Sequence, residues 1–161
     1  MLLSIANNLY IGNTEGMAFT NKKEWCIIHA CQSYHYKVMG WSIHRRPNKD
    51  DPKYLIYEED HEMSLNWVDG AAHLYDWYGP EKFSHILDFI DRNIKTKKVF
   101  IHCDLGKSRS PSIGLLYLAK RIKIIPGQTF QLAFHAFKKI FPQYSPGGIG
   151  IYIESKWQDI V

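Results

Sequence analysis

The feature that most constrains this chain is a strand that ends at a cysteine. Residues 97–121 read KKVFIHCDLGKSRSPSIGLLYLAKR. The apolar, β-branched run from Val99 to His102 fits a buried strand, and Cys103 stands at its break. A turn of small and polar residues follows. A helix is predicted to begin near Ser110-Pro111, where proline suits a first helical turn.

Similar punctuation recurs along the chain. EWCIIHAC, YLIYEED and EMSLNWVD are further candidate strands, and LLSIANNLYIG reads as a short strand with a turn at Asn7-Asn8. PNKDDPK, residues 47–53, is a polar loop with two prolines. In GPEKFSHILDFIDRNIKT, Pro80 sits at a helix start and Phe83, Ile86, Leu87, Ile90 and Ile94 recur at helical spacing. SPSIGLLYLAKRIK predicts a helix with a stripe of Ile113, Leu116, Tyr117 and Lys120. TFQLAFHAFKKIF predicts another that ends before Pro142, and GGIGIYIESKWQDIV a last one. Alternating strands and helices imply an α/β fold. The expectation is a central, mostly parallel, twisted sheet of about five strands with helices on both faces. At 161 residues, a single domain over 1–161 is expected.

Composition narrows the class. Hydrophobic residues make up 45% and charged residues 22%, which supports a packed core and argues against disorder. The net charge of +4 permits an anionic substrate without demanding nucleic acid. No run is long enough to span a bilayer, and MLLSIANNLYIGN lacks the pattern of a signal peptide. Three cysteines argue against a disulfide scaffold and for a reducing compartment, so a cytoplasmic location is expected. In WCIIHAC, strand alternation puts Cys26, Ile28 and Ala30 on one face and Ile27, His29 and Cys31 on the other. Cys26 and Cys31 therefore read as buried small hydrophobes. The histidines show no metal-ligand spacing, and neither metal nor cofactor is expected.

The turn after Cys103 suits anion binding. Its backbone N–H groups can converge on one point, and the helix adds free donors and the positive end of its dipole. Gly106 permits a positive φ or close approach of a ligand. Arg109 supplies a planar fork that matches two phosphate oxygens. A free thiol ionises near about 8.5, and such surroundings bring that to roughly 3.5–7.5. Cys103 is thus expected to be a thiolate aimed at bound phosphorus, with the Ser110 hydroxyl hydrogen-bonding the sulfur. Attack by that sulfur splits phosphoester hydrolysis into two steps through a cysteinyl phosphate. Asp104 and Lys107 are expected to point outward, and Ser108 to serve loop structure. A low thiol pKa also implies reversible inactivation by peroxide at Cys103.

Cys103 and Arg109, with five residues between them, His102 before and Ser110 after, resemble the phosphate-binding loop of the cysteine-based protein tyrosine phosphatases. HCDLGKSRSPSIGLLYL is most similar to the dual-specificity branch. LYIGN, CIIHAC, FSHILDFID and PGGIGIYIESKW fit that family's order more loosely. The resemblance implies a metal-free, two-step hydrolysis of phosphomonoesters. It assigns the phosphate-binding loop to Cys103, Asp104, Leu105, Gly106, Lys107, Ser108 and Arg109, and gives His102 an orienting role.

A leaving oxygen needs a proton, so a carboxylic acid must face the loop. The family places an aspartate upstream, on a mobile loop between a strand and a helix. LNWVDGAAHLYDWYGPEKF offers Asp69 and Asp76. The family spacing falls between their two offsets, and Asp69 is preferred because it directly follows the strand. Trp67, Tyr75, Trp77 and Tyr78 either border the pocket or, for most of them, fill the core.

The resemblance makes a phosphorylated protein the expected substrate, through phosphotyrosine and phosphoserine or phosphothreonine in a shallow pocket. Lys107 leaves a phosphoinositide reading open, weakened by Asp104, and RNA 5′-phosphatase activity occurs on the same scaffold. The basic HRRPNK at residues 44–49 is too little to prefer nucleic acid, and no stable nucleic-acid partner or membrane insertion is expected. A monomer is expected. A phosphate-reading pseudophosphatase and a sulfurtransferase are the readings from other classes.

Overall fold

The structure, a computed structural model, describes residues 1–42 and 44–161. Its strands are β1 (Leu2–Ala6), β2 (Leu9–Asn13), β3 (Trp25–His29), β4 (Ile56–Glu59), β5 (Glu62–Leu65) and β6 (Lys98–Cys103). Its helices are α1 (Gln32–Met39), α2 (Gly79–Asn93), α3 (Arg109–Lys120), α4 (Phe130–Ile140) and α5 (Gly147–Ser155). Short 3-10 helices cover Thr14–Phe19 and Ala72–Tyr75.

The strands form one sheet in the order β1-β2-β6-β3-β5-β4. The four inner strands run parallel, and the edge strands β1 and β4 pair antiparallel with β2 and β5. The sheet is therefore six-stranded rather than about five. LLSIANNLYIG supplies two strands, because Asn8 adopts a left-handed φ of 59° and turns the chain back on itself.

Alternation along the strands divides the core. Leu9, Ile11, Cys26, Ile28, Val99 and Ile101 face a large apolar cluster shared with α2 to α5. Trp25, Ile27 and Phe100 face the other side and form a smaller cluster with Leu2, Tyr10 and Met17. Cys26 and Cys31 are free and fully buried, as the sequence implies. Helices cover both faces, but unequally.

Two local patterns differ from expectation. α3 is not amphipathic: every residue from Arg109 to Ala119 is buried, because the helix runs between the sheet and α2, α4 and α5. Of the expected stripe, Lys120 is the member that reaches out, its Nζ lying 4.3 Å over the Trp157 ring. α1 carries no apolar stripe to read, since its buried residue is His35. That imidazole contacts the Ser64 hydroxyl and donates from Nε2 to the Lys53 carbonyl at 3.0 Å.

On the smaller-cluster face, the parallel register sets His29 of β3 beside His102 of β6. Both are fully buried. Burial holds both below the usual imidazole range, and for His102 the neighbouring His29 adds to the effect, lowering it from 6.5 to about 3. Between those values the unfolded chain binds a proton that the folded chain refuses, so folding loses stability as the pH falls below about 6.5.

Two outcomes are expected. Phe83 stacks between Trp67 and Tyr152 at 5.1 and 5.4 Å, joining α2 to the segment after β5 and to α5. Phe83→Ala should cost about 3–5 kcal/mol in urea unfolding, and a cost under about 1 kcal/mol would contradict this packing role. The urea midpoint should also fall between about pH 7 and about pH 5, and fall less in His102→Asn. Equal falls would show that His102 contributes nothing.

Candidate active site

Three parallel strands end at one edge of the sheet, where open α/β sheets bind ligands. β6 delivers Cys103, β3 leads into α1 and Ser33, and β5 leads into Trp67 and Asp69. Cys103 alternates onto the large-cluster face and is 1% exposed. Its sulfur lies 3.4 Å from both the backbone nitrogen and the hydroxyl of Ser110, in the first turn of α3. The Ser110 hydroxyl also donates to the Gly12 carbonyl at 2.8 Å. That hydroxyl has one proton, so Gly12 and a deprotonated sulfur would compete for it.

Residues 104–108 curve from Cys103 into α3. Gly106 sits at φ +71°, and a Cβ there would lie 2.8 Å from the Gly12 backbone, so both conformation and space require glycine. Among the described residues, no backbone N–H from 105 to 109 donates a hydrogen bond within the protein. The loop is braced from the C-terminal side. Ser108 donates to the Pro146 carbonyl at 2.8 Å, and the Ser145 N–H donates to the Lys107 carbonyl at 2.8 Å. Lys107 and Leu105 are exposed.

Arg109 is 4% exposed. Nη1 donates to the Trp67 carbonyl at 2.8 Å and Nη2 to Asp104 Oδ2 at 2.9 Å. Nε is buried with no partner among the described residues. Asp104 is exposed, as expected, while one of its oxygens meets Arg109. It also accepts from the Ser33 hydroxyl at 2.6 Å, because a buried guanidinium needs an anionic partner. Burial works against the Asp104 charge, but the hydrogen bonds from Ser33 and Arg109 outweigh it and hold the carboxyl below the usual range.

The two candidate acids fall in different places. Asp69 is exposed on the bend after β5, within electrostatic range of Arg109. Asp76 is exposed beyond the 3-10 helix and acts on Tyr152 instead. The Asp69 bend packs on the first turn of α5. A Cβ on Gly148 would come within 1.9 Å of the Gly70 carbonyl, so glycine permits that approach. Of the neighbouring aromatics, Trp67, Tyr75 and Tyr78 are core, and Trp77 is 51% exposed.

The sequence reading brings Cys103, Arg109, Ser110 and Asp69 to one edge. It misses Ser33, the Trp67 carbonyl and the brace from Ser145 and Pro146, for which the sequence carries no local signal. It also misses His29 as a partner of His102, although IIHAC and FIHC set the two histidines at matching strand positions.

No family model matches the chain. A curated relative, a probable dual specificity protein phosphatase of Dictyostelium discoideum, is 36% identical over 69 residues. That stretch is 41% of this chain and spans 28% of the relative's length. Among solved structures, the human tyrosine phosphatase-like serine/threonine/tyrosine-interacting protein superposes with a TM-score of 0.61 at 16% identity, over 99% of this chain and 96% of that one. A leucine rich repeat and phosphatase domain containing protein from Entamoeba histolytica gives 0.63 at 14% identity, over 99% and 92%. Human DUSP28 gives 0.58 at 16% identity, over 98% and 93%. At these identities the structural likeness is one of architecture. The chain has the fold of the dual-specificity and protein tyrosine phosphatases.

Proposed function

We propose that the chain is a metal-independent phosphomonoester hydrolase that works through a cysteinyl phosphate, with phosphotyrosine and phosphoserine or phosphothreonine of proteins as substrates. One observation carries the reading. Cys103 stands at the N-terminus of α3, beside a run of unbonded amides and the partnerless Nε of buried Arg109. Such donors match the equatorial oxygens of a phosphoryl group, which carry the negative charge in transfer.

In the first step the Cys103 sulfur attacks phosphorus and the P–O ester bond breaks. Asp69 gives its proton to the leaving oxygen. In the second step water attacks the phosphorus of the cysteinyl phosphate. The Asp69 carboxylate takes the water's proton, the S–P bond breaks, and the thiolate is restored as phosphate departs. The Ser110 hydroxyl, turning from the Gly12 carbonyl to the sulfur, stabilises that departing thiolate. Arg109, aligned by Asp104 and the Trp67 carbonyl, holds the phosphoryl oxygens throughout. The exposed Leu105 and Lys107 stand at the loop's outer side, which suits a shallow entrance open to several phosphorylated side chains.

Turnover of p-nitrophenyl phosphate is expected without added metal, unchanged by a chelator, inhibited by vanadate and lost in Cys103→Ser. Phosphate binding with no turnover would instead favour a phosphate-reading module. Asp69→Asn should slow hydrolysis of an ester with a poor leaving group by about 10²–10⁴-fold while phosphate still binds. If Asp76→Asn has that effect and Asp69→Asn does not, the acid is misassigned.

A further inference from the structure

β6 turns Cys103 toward α3 and His102 toward the opposite face. On that face four polar side chains stand in line. Thr14 Oγ1 is 3.2 Å from His102 Nδ1, His102 Nε2 is 2.5 Å from His29 Nδ1, and His29 Nε2 is 2.6 Å from Glu62 Oε1. Thr14 Oγ1 is also 3.5 Å from the Cys103 carbonyl. Tyr34 stacks on His29 with centroids 4.1 Å apart, and Phe100 stacks on His102 at 5.8 Å, so neither buried ring turns freely. The Glu62 side chain, at the far end, is 39% exposed.

Each nitrogen of a neutral imidazole either donates or accepts, so the line admits two proton arrangements. In one, Thr14 donates to His102 Nδ1, His102 Nε2–H to His29 Nδ1, and His29 Nε2–H to an ionised Glu62. In the other every proton runs the opposite way. A protonated Glu62 donates to His29 Nε2, His29 Nδ1–H to His102 Nε2, His102 Nδ1–H to Thr14, and Thr14 to the Cys103 carbonyl. The hydrogen bond from His29 holds the Glu62 carboxyl below its usual range, and Lys22 acts in the same direction. Burial keeps both imidazoles neutral, with Lys37 near His29 and Arg109 near His102 opposing protonation and Asp104 near His102 favouring it. The first arrangement follows, and the 3.5 Å from Thr14 Oγ1 to the Cys103 carbonyl, long for a bond that the second arrangement alone needs, agrees with it.

We propose that Glu62 is a positioning residue for the nucleophile: acting through His29, it fixes His102 as the Nε2–H tautomer and so holds the Thr14–Cys103 end of β6 in one geometry. The effect on turnover rests on the phosphatase reading; the tautomers belong to the folded chain whether or not it turns over substrate. The test is a long-range ¹H–¹⁵N spectrum of ring-labelled histidine at about pH 7, together with kinetics. His29 and His102 should both appear as neutral Nε2–H rings. Glu62→Ala should move both rings away from that form and lower kcat about tenfold, the scale lost when a hydrogen-bonded partner behind an active group is removed, with KM little changed. Glu62→Gln keeps an oxygen that accepts from His29, and should restore the tautomers and most of the turnover. A His102 ring protonated on Nδ1 in the unaltered protein overturns the proposal. So do ring signals unmoved in Glu62→Ala, or rings that switch while kcat stays the same. Absence of turnover in the unaltered protein would count against the phosphatase reading alone, and the spectra would still decide the tautomers.

Discussion

A buried guanidinium is the constraint on which the site depends. Taking an unpaired cation out of water costs several kcal/mol, so Arg109 persists at 4% exposure because other groups meet it. The Trp67 carbonyl, at the end of β5, and the Asp104 carboxylate, in the loop, each take one terminal nitrogen. Those two bonds tie the helix start to two different strand ends and fix the fork's plane. They leave Nε without a partner among the described residues. An oxyanion beside Cys103 would complete the set of acceptors, which connects the folding problem of burying Arg109 to the chemistry proposed for it.

The alternation of β6 gives the site two sides with different tasks. Cys103 lies on the side packed by α3, where amide donors and the helix dipole meet it. His102, one residue earlier, lies on the side of His29, Tyr34 and Glu62. The chemistry proposed on one face is thereby backed by a polar, fully connected line on the other. Such a line is tolerable in a core because each ring nitrogen has a partner. It also makes the fold sensitive to acid in expectation, since charging either ring would break the donor–acceptor sequence.

How much was legible beforehand follows from the range of each interaction. Strand β6, the glycine turn and the start of α3 were readable because their signals are local: β-branching, a glycine that must take positive φ, and a proline at a helix start. Cys103 and Arg109 follow from the same stretch. The turn at Asn7-Asn8 was readable, but the arms on either side are so short that the stretch reads as one strand rather than a pair. α1 was hidden because its buried residue is a histidine held by Ser64 and Lys53, and polar burial leaves no apolar stripe. The pairing of Asp104 with Ser33 was illegible because the two lie on separate elements and meet only through the sheet register. Spacing alone left Asp69 and Asp76 undecided. In the fold Asp69 lies in electrostatic range of Arg109 and Asp76 in that of Tyr152, which supports Asp69 as the proposed acid.

The most direct measurement is capture of the covalent intermediate. Asp69→Asn protein, mixed with a labelled aryl phosphate and quenched in acid, should carry phosphate on the peptide containing Cys103, because an aryl leaving group departs with little help from an acid and the S–P bond then forms faster than it is hydrolysed when the base is gone. Label on a different residue, or phosphate released with no labelled protein at any time, would contradict attack by the Cys103 sulfur.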